Sequence, residues 1–217
     1  MIIIYCLHGD ENTTEPIVKD FCNKNNITCI LGNPRARELN VRYIESDLNR
    51  SFNKEGTYEA ERAKELKNEL KDFNDDLVID IHTTTAVTKP MGIITDLSKL
   101  RLASRLGIEN LVLMKKEFSS GGSLIENVDN SISIEISTDQ ESLSFLYETL
   151  IKGLDDRSKI NKFNLFEVVE IIKKADNKYK DIKNLEKLPD GFYPAFYGEK
   201  SYEDIAYLKT VRKNINI

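Results

Sequence analysis

The sequence is poor in cysteine and histidine and contains no tryptophan. Only three cysteines and two histidines occur among its 217 residues. The three thiols, Cys6, Cys22 and Cys29, cannot all pair and show no CxxC spacing. This usage argues against a disulfide framework and is typical of free thiols in a reducing compartment.

Long apolar runs and long basic runs are also missing. No apolar stretch approaches the roughly 20 residues that span a bilayer, and the apolar N-terminus lacks a basic segment and a cleavage site. The chain has 31 basic and 36 acidic residues and a net charge of −5. This balance gives little electrostatic support for a nucleic-acid or anionic-membrane partner. We therefore expect a cytoplasmic protein.

The composition that remains, 40% hydrophobic and 31% charged, is that of a globular protein with one substantial core and a small appendage. Apolar strand-like runs alternate with amphipathic segments. The pattern predicts strands at residues 2–5, 27–31, 77–82, 91–95, 110–114, 131–136 and 163–172, and helices at 13–25, 55–73, 97–106 and 140–156. This alternation predicts an α/β fold that opens with a parallel βαβ unit. Ligands of such sheets bind beyond the carboxyl ends of the strands.

Both histidines follow predicted strands. His8 and Glu11 come directly after the first strand, and His82 ends the strand at residues 77–82. Imidazole, carboxylate and imidazole are the ligand set of a catalytic zinc, in which three protein ligands leave a fourth position open for water. The alternative is that His8 is a loop residue and His82 a hydrogen-bonded histidine at a strand end. Spacing alone does not separate these interpretations.

The segment from residue 32 to 52 shows little periodicity and is predicted to be a long loop. It contains four arginines, which are Arg35, Arg37, Arg42 and Arg50. A guanidinium can hold a carboxylate through two parallel hydrogen bonds, and long loops in compact domains are usually functional. The segment therefore suggests anion binding, although a solvated loop held by surface ion pairs fits as well.

Four motifs, in this order, resemble the aspartoacylase and succinylglutamate desuccinylase family. They are His8-Gly9-Asp10-Glu11, Asn33-Pro34-Arg35-Ala36, Arg42-Tyr43-Ile44-Glu45-Ser46-Asp47-Leu48-Asn49-Arg50 and Asp80-Ile81-His82-Thr83-Thr84. The resemblance implies a zinc-carboxypeptidase-like α/β fold, with a twisted, mostly parallel or mixed sheet and helices on both faces. A change of sequence pattern near residues 155–157 predicts a domain boundary there. We expect a zinc-dependent catalytic domain at residues 1–156 and a small β-rich cap over the active site at 157–217.

The resemblance also implies a role for individual residues. His8, Glu11 and His82 would hold one Zn²⁺ per chain, and Glu135 would be the general base. Arg42 would stabilise the oxyanion, with Asp47 holding Arg42 in place. Three residues would bind the substrate: Asn49, Arg50 and Tyr202.

The chain departs from the family pattern at one substrate-binding position. An arginine is expected about ten residues before the catalytic glutamate, where this sequence has Ser123-Leu124-Ile125. Recognition of an acyl-aspartate is therefore less well supported by the sequence than the hydrolytic machinery.

The expected function is amide hydrolysis of a small anionic N-acyl amino acid, with N-acetylaspartate as the leading substrate. Three alternatives stay open: a succinylglutamate desuccinylase, a zinc carboxypeptidase, and a metal- or ligand-binding protein without catalysis. A homo-oligomer is compatible with the sequence.

Overall fold

The computed structural model describes residues 1–73, 76–119, 121–155 and 159–217. The chain is a mixed α/β protein that divides into two compact units. The first unit contains Met1–His82 and Ser119–Ile134, and the second contains Thr83–Phe118 and Glu135–Ile217. The domain boundary predicted between residues 156 and 157 lies outside the described residues, so it stays a prediction.

The strands and helices predicted from the sequence are present in the predicted order, with small shifts at their ends, and further elements that were not predicted accompany them. The strands are β1 (Ile2–Tyr5), β2 (Thr28–Leu31), β3 (Val78–Thr83), β4 (Met91–Ile94), β5 (Asn110–Leu113), β6 (Ser131–Ile136), β7 (Lys162–Lys173), β8 (Tyr193–Ala195) and β9 (Ile205–Asn216). The helices are α1 (Glu15–Asn25), α2 (Pro34–Leu39), α3 (Tyr58–Lys71), α4 (Leu100–Leu106), α5 (Leu124–Asn127) and α6 (Gln140–Leu154). Among the described helices, none combines the length and apolar character needed to cross a membrane.

The first unit contains β2, β1, β3 and the first residues of β6, which are neighbours in that order. Strand β1 pairs in parallel with both β2 and β3 and is buried along its whole length. Burial on both faces explains why β1 is a continuous apolar run rather than an alternating one. Helix α1 connects β1 to β2, which confirms the parallel βαβ unit predicted at the N-terminus.

Local sequence signals explain the two other long connections of this unit. Asn33 caps α2 by accepting a hydrogen bond from the Ala36 N–H at 3.2 Å, and Pro34 is the first residue of the helix. The prediction of a loop throughout residues 32–52 is therefore wrong at α2. The helix has only six residues, too few to show an apolar period. In α3, by contrast, Thr57 is the N-cap and a buried stripe follows, which consists of Ala60, Ala63, Leu66 and Leu70.

The second unit has strands in the order β4-β5-β7-β9-β8. Strands β4, β5 and β7 are parallel, whereas β9 runs antiparallel to β7 and β8. Strands β7 and β9 are each 12 residues long and form an extended antiparallel ribbon. The C-terminal part is thus β-rich, as predicted, and its role as a cap stays a prediction.

Candidate metal centre

His8 and Glu11 lie in a tight turn that begins where β1 ends. Cys6 adopts a left-handed conformation with φ 51°, and the Glu11 N–H donates to the His8 carbonyl at 3.1 Å. Gly9 is required here, because a Cβ at this position would lie 2.1 Å from the carbonyl carbon of Ala36. The turn directs both side chains inward, and they are only 3% and 8% exposed.

His82 joins this pair because β3 is the parallel neighbour of β1. The register aligns Tyr5 with Ile81, so the two strands end side by side. His8 Nδ1 lies 2.6 Å from Glu11 Oε1, and His82 Nδ1 lies 3.0 Å from Glu11 Oε2. One ligand atom from each of the three residues lies within 4.8 Å of the others. The structure therefore brings together the three metal ligands predicted from the sequence.

The other nitrogen of each imidazole is held by a carboxylate. His8 Nε2 lies 3.0 Å from Asp47 Oδ1, and His82 Nε2 lies 2.8 Å from Asp80 Oδ2. Asp80 also accepts the Ser133 hydroxyl at 2.9 Å. A carboxylate at Nε2 fixes the proton there and leaves the Nδ1 lone pair available for a metal. This donor set fits Zn²⁺, which prefers nitrogen and carboxylate oxygen ligands.

The charged groups of the centre shift one another's pKa values. Burial alone would lower the pKa of His82, but the carboxylates of Asp80 and Glu11 outweigh it and raise that pKa well above its usual range. Burial opposes ionisation of Glu11, yet the two histidines lower its pKa well below the usual range. Glu11 is therefore a carboxylate at neutral pH, as a metal ligand must be.

The segment after α2 brings a guanidinium to the same carboxylate. Arg42 Nη1 donates to Glu11 Oε1 at 3.2 Å, and Arg42 Nη2 lies 3.6 Å from Asp47 Oδ2. Asp47 therefore lies closer to His8 than to Arg42, and its role in holding Arg42 stays a prediction. Arg42 is half-buried beside the ligand set, where a guanidinium can stabilise negative charge that develops on a substrate.

The two predicted carboxylate-binding residues follow in a short 3₁₀ turn, Leu48–Arg50. Asn49 Nδ2 lies 3.5 Å from His82 Nε2, while Asn49 Oδ1 accepts the Leu124 N–H at 3.0 Å. Arg50 donates from Nη1 to the Asn49 carbonyl at 2.7 Å. Asn49 therefore lies beside the ligand set, and Arg50 is fixed next to Asn49.

The position where the family pattern has an arginine is occupied by the start of α5. Ser123 and Glu126 form a capping box around this short helix, and Leu124 and Ile125 are 0% and 5% exposed. This segment packs against the turn that carries Arg50, because a Cβ on Gly122 would lie 2.6 Å from the Arg50 carbonyl oxygen. The segment supplies a carboxylate, Glu126, and no guanidinium.

Glu135 and Tyr202 belong to the second unit. Glu135 lies in β6 as predicted and is half-buried. Tyr202 lies between β8 and β9, and its carbonyl accepts a hydrogen bond from Lys174 Nζ at 2.9 Å. Their roles as general base and substrate ligand stay predictions.

Sequence reasoning missed two buried glutamates. In the first unit, the fully buried Glu59 accepts three consecutive backbone N–H groups of the segment that carries Arg42. In the second unit, Glu199 accepts hydrogen bonds from the Thr84 and Thr85 hydroxyls at 2.5 and 3.0 Å. Glu59 stands four residues before Ala63 and therefore shares the buried face of α3, a signal that could have marked it as buried. Glu199 lies in no periodic pattern, so the sequence offered no signal for it.

Comparison with known proteins assigns this site to a family. Residues 2–138, more than half of the chain, match the model for the succinylglutamate desuccinylase/aspartoacylase catalytic domain. The chain belongs to this family. It is 34% identical over 103 residues to a probable aspartoacylase of Acaryochloris marina, a match that covers 40% of this chain and 35% of that protein. The chain thus matches about a third of the length of that relative.

Solved structures share the fold. Murine aminoacylase 3 has a TM-score of 0.77 at 18% identity, with 100% of this chain and 96% of that chain covered. The succinylglutamate desuccinylase from Chromobacterium violaceum has a TM-score of 0.71 at 19% identity, with coverages of 98% and 84%. At these identities the similarity shows the fold of the family and leaves the substrate open.

Proposed function

We propose that this protein is a zinc-dependent amidohydrolase that removes the acyl group from an N-acyl amino acid, with N-acetylaspartate as the leading substrate. The observation that carries the proposal is the convergence of His8 Nδ1, His82 Nδ1 and the Glu11 carboxylate, with a guanidinium 3.2 Å from the same carboxylate. Family membership supports hydrolysis of an acyl–nitrogen bond.

His8, Glu11 and His82 would hold the metal in this proposal. A bound Zn²⁺ would lower the pKa of a water molecule toward about 7 and polarise the acyl carbonyl. Asp47 and Asp80 would keep both imidazoles oriented, with the proton on Nε2 in each case. Zinc is favoured over Mg²⁺ and Ca²⁺ because those ions prefer ligand sets made only of oxygen.

Arg42 would stabilise the oxyanion of the tetrahedral intermediate through its N–H groups. Glu135 would take a proton from the attacking water and return it to the leaving amine. Glu135 is two residues after Ser133 in β6, so the two side chains lie on the same face of that strand. Ser133 is the residue that donates to Asp80, which supports the choice of Glu135.

Asn49 and Arg50 would bind a carboxylate of the substrate, and Tyr202 would close the pocket. Desuccinylation of succinylglutamate is the second candidate function, because the matched family includes both activities. The absence of an arginine from Ser123-Leu124-Ile125 favours neither acidic substrate.

The test is amine release by the zinc-loaded protein from N-acetylaspartate, N-succinylglutamate, N-acetyl amino acids with neutral side chains, and a dipeptide. Glu135→Ala is the control, because it removes the general base and leaves the three ligands in place. We expect turnover of an N-acyl amino acid by the wild type and its loss in the variant. Equal rates in the two proteins, or cleavage of the dipeptide alone, would contradict the proposal.

A further inference from the structure

The carboxylate of Glu59 lies in a cradle of backbone N–H groups. Oε1 accepts the Ile44 N–H at 2.7 Å, and Oε2 accepts the N–H groups of Glu45 and Ser46, both at 3.1 Å. The Asn33 side chain donates to Oε1 at 3.3 Å. Consecutive N–H groups that point at one anion form an anion-binding concavity, and here a buried side chain of the protein occupies it.

The chemistry of this cradle requires a carboxylate. Four donors share two acceptor oxygens, two donors on each oxygen. A glutamine has only one acceptor oxygen. In either orientation its NH2 group, itself a donor, would face two N–H donors of the cradle. Burial opposes ionisation of Glu59, but the three backbone N–H groups and Asn33 outweigh burial and lower its pKa.

The segment held by Glu59 also carries the residues around the metal ligands. Arg42 precedes the three N–H donors and contacts Glu11 at 3.2 Å. Asp47 follows them directly and contacts His8 at 3.0 Å. A shift of these donors would therefore move Asp47, which orients His8, and the Arg42 guanidinium, which neutralises Glu11.

Through Asn33, Glu59 is also connected to a second segment that packs against the turn carrying His8 and Glu11. Asn33 caps α2, and the backbone of α2 at Ala36 packs directly against Gly9, the residue after His8. The Gly9 N–H donates to the Arg42 carbonyl at 3.1 Å, which links the turn with the segment that Glu59 holds.

We infer that Glu59 is a positioning residue of the metal centre: its carboxylate fixes the backbone at residues 44–46 so that Arg42 and Asp47 meet Glu11 and His8. The inference rests on the metal centre of the proposed function and does not depend on which substrate is hydrolysed. The competing explanation is that Glu59 merely stabilises α3, since it lies in the first turn of that helix, where negative charge is favourable.

The variants Glu59→Gln and Glu61→Gln separate these explanations. Both remove one negative charge from the first turn of α3, but Glu61 is exposed and does not contact the cradle. The measurements are the zinc Kd by competition with a chromophoric chelator and the visible spectrum of the Co²⁺-loaded protein. Circular dichroism and thermal unfolding show whether each variant is folded.

We expect Glu59→Gln to weaken zinc binding about tenfold or more, which is the effect typical of losing support for a ligand. Its Co²⁺ spectrum should change, while Glu61→Gln should match the wild type in both measurements. A folded Glu59→Gln variant with the wild-type Kd and spectrum would overturn the inference. Equal losses in the two variants would show that Glu59 acts through the helix alone.

Hydrogen exchange of the wild-type protein tests the same inference without a variant, and so applies even if Glu59→Gln does not fold. The amides of Ile44, Glu45 and Ser46 should be protected relative to the exposed residues 53–56. Exchange as fast as in residues 53–56 would refute the inference. Failure of the wild-type protein to bind zinc would contradict the proposed function, whereas wild-type zinc binding with an unchanged Kd in a folded Glu59→Gln variant would contradict the inference alone.

Discussion

Replacing Asp80 with asparagine tests whether the carboxylates around the two histidines tune the metal centre. Asp80 is fully buried, and its Oδ2 contacts His82 Nε2 at 2.8 Å and the Ser133 hydroxyl at 2.9 Å. Its Oδ1 is buried and has no hydrogen-bond partner among the described residues. An asparagine can therefore place its oxygen at the Oδ2 position and keep both contacts, which isolates the effect of the charge.

The expected loss of zinc affinity follows from the role of the Asp80 carboxylate beside His82. It makes His82 a more basic ligand and fixes its tautomer, and mutation of such partners typically costs about 10- to 100-fold in metal affinity. This range corresponds to about 1.4–2.7 kcal/mol of binding free energy. The new amide group would be buried without a partner at the Oδ1 position, which costs about 1–3 kcal/mol of folding free energy. Binding and stability must therefore be measured separately.

The assay is competition for Zn²⁺ with a chromophoric chelator, together with urea unfolding of the metal-free protein. Asp20→Asn is the matched control, because Asp20 is exposed on α1 and pairs with Lys24 at 2.7 Å. The control should bind zinc as the wild type does. A folded Asp80→Asn variant whose zinc Kd stays within threefold of the wild-type value would refute the reasoning.

Three other changes test other parts of the structure. Replacing Arg42 with lysine should lower kcat on the preferred N-acyl amino acid about 100-fold, because an oxyanion donor is lost; an unchanged kcat in the zinc-loaded variant would exclude that role. Replacing Gly9 with alanine should lower the melting temperature, because the new Cβ would lie 2.1 Å from the Ala36 carbonyl carbon; an unchanged melting temperature would contradict this contact. Burial opposes ionisation of Glu199, but hydrogen bonds from Ser201, Thr84 and Thr85 lower its pKa. Replacing Glu199 with glutamine should therefore lower the free energy of unfolding by about 1–3 kcal/mol at pH 7. This difference between wild type and variant should shrink as the pH falls through the lowered pKa of Glu199. Urea unfolding that shows the same difference at pH 7 and pH 3 would contradict this prediction.

The proximity of the three proposed ligands could be predicted because it depends on strand ends, whereas their role as metal ligands rests on the family resemblance. Apolar runs located β1 and β3, and parallel pairing aligned their carboxyl ends, so His8, Glu11 and His82 had to lie close together. Asp80 follows from the same logic, since residues two apart in a strand share a face. The remaining roles rested on resemblance to a family, and the match over residues 2–138 confirms that family.

The supports of the site could not be predicted, because they are long-range hydrogen bonds whose partners no local pattern identifies. Glu59 lies in a helix whose other glutamates, such as Glu61 and Glu65, are exposed. Glu59 stands four residues before Ala63 and so lies on the apolar face of that helix, but nothing local identifies the distant backbone segment that it contacts. Helix α2 was not predicted for a related reason. It is so short that its cap at Asn33, rather than a stripe of buried residues, marks it in the sequence.

The most direct test of the account is a crystal structure of the zinc-loaded protein with anomalous diffraction data at the zinc absorption edge. The account predicts a single strong peak per chain, within bonding distance of His8 Nδ1, His82 Nδ1 and a Glu11 oxygen, at about 2.0–2.2 Å. Stoichiometric zinc located at other residues, or bound through the Nε2 atoms, would contradict it.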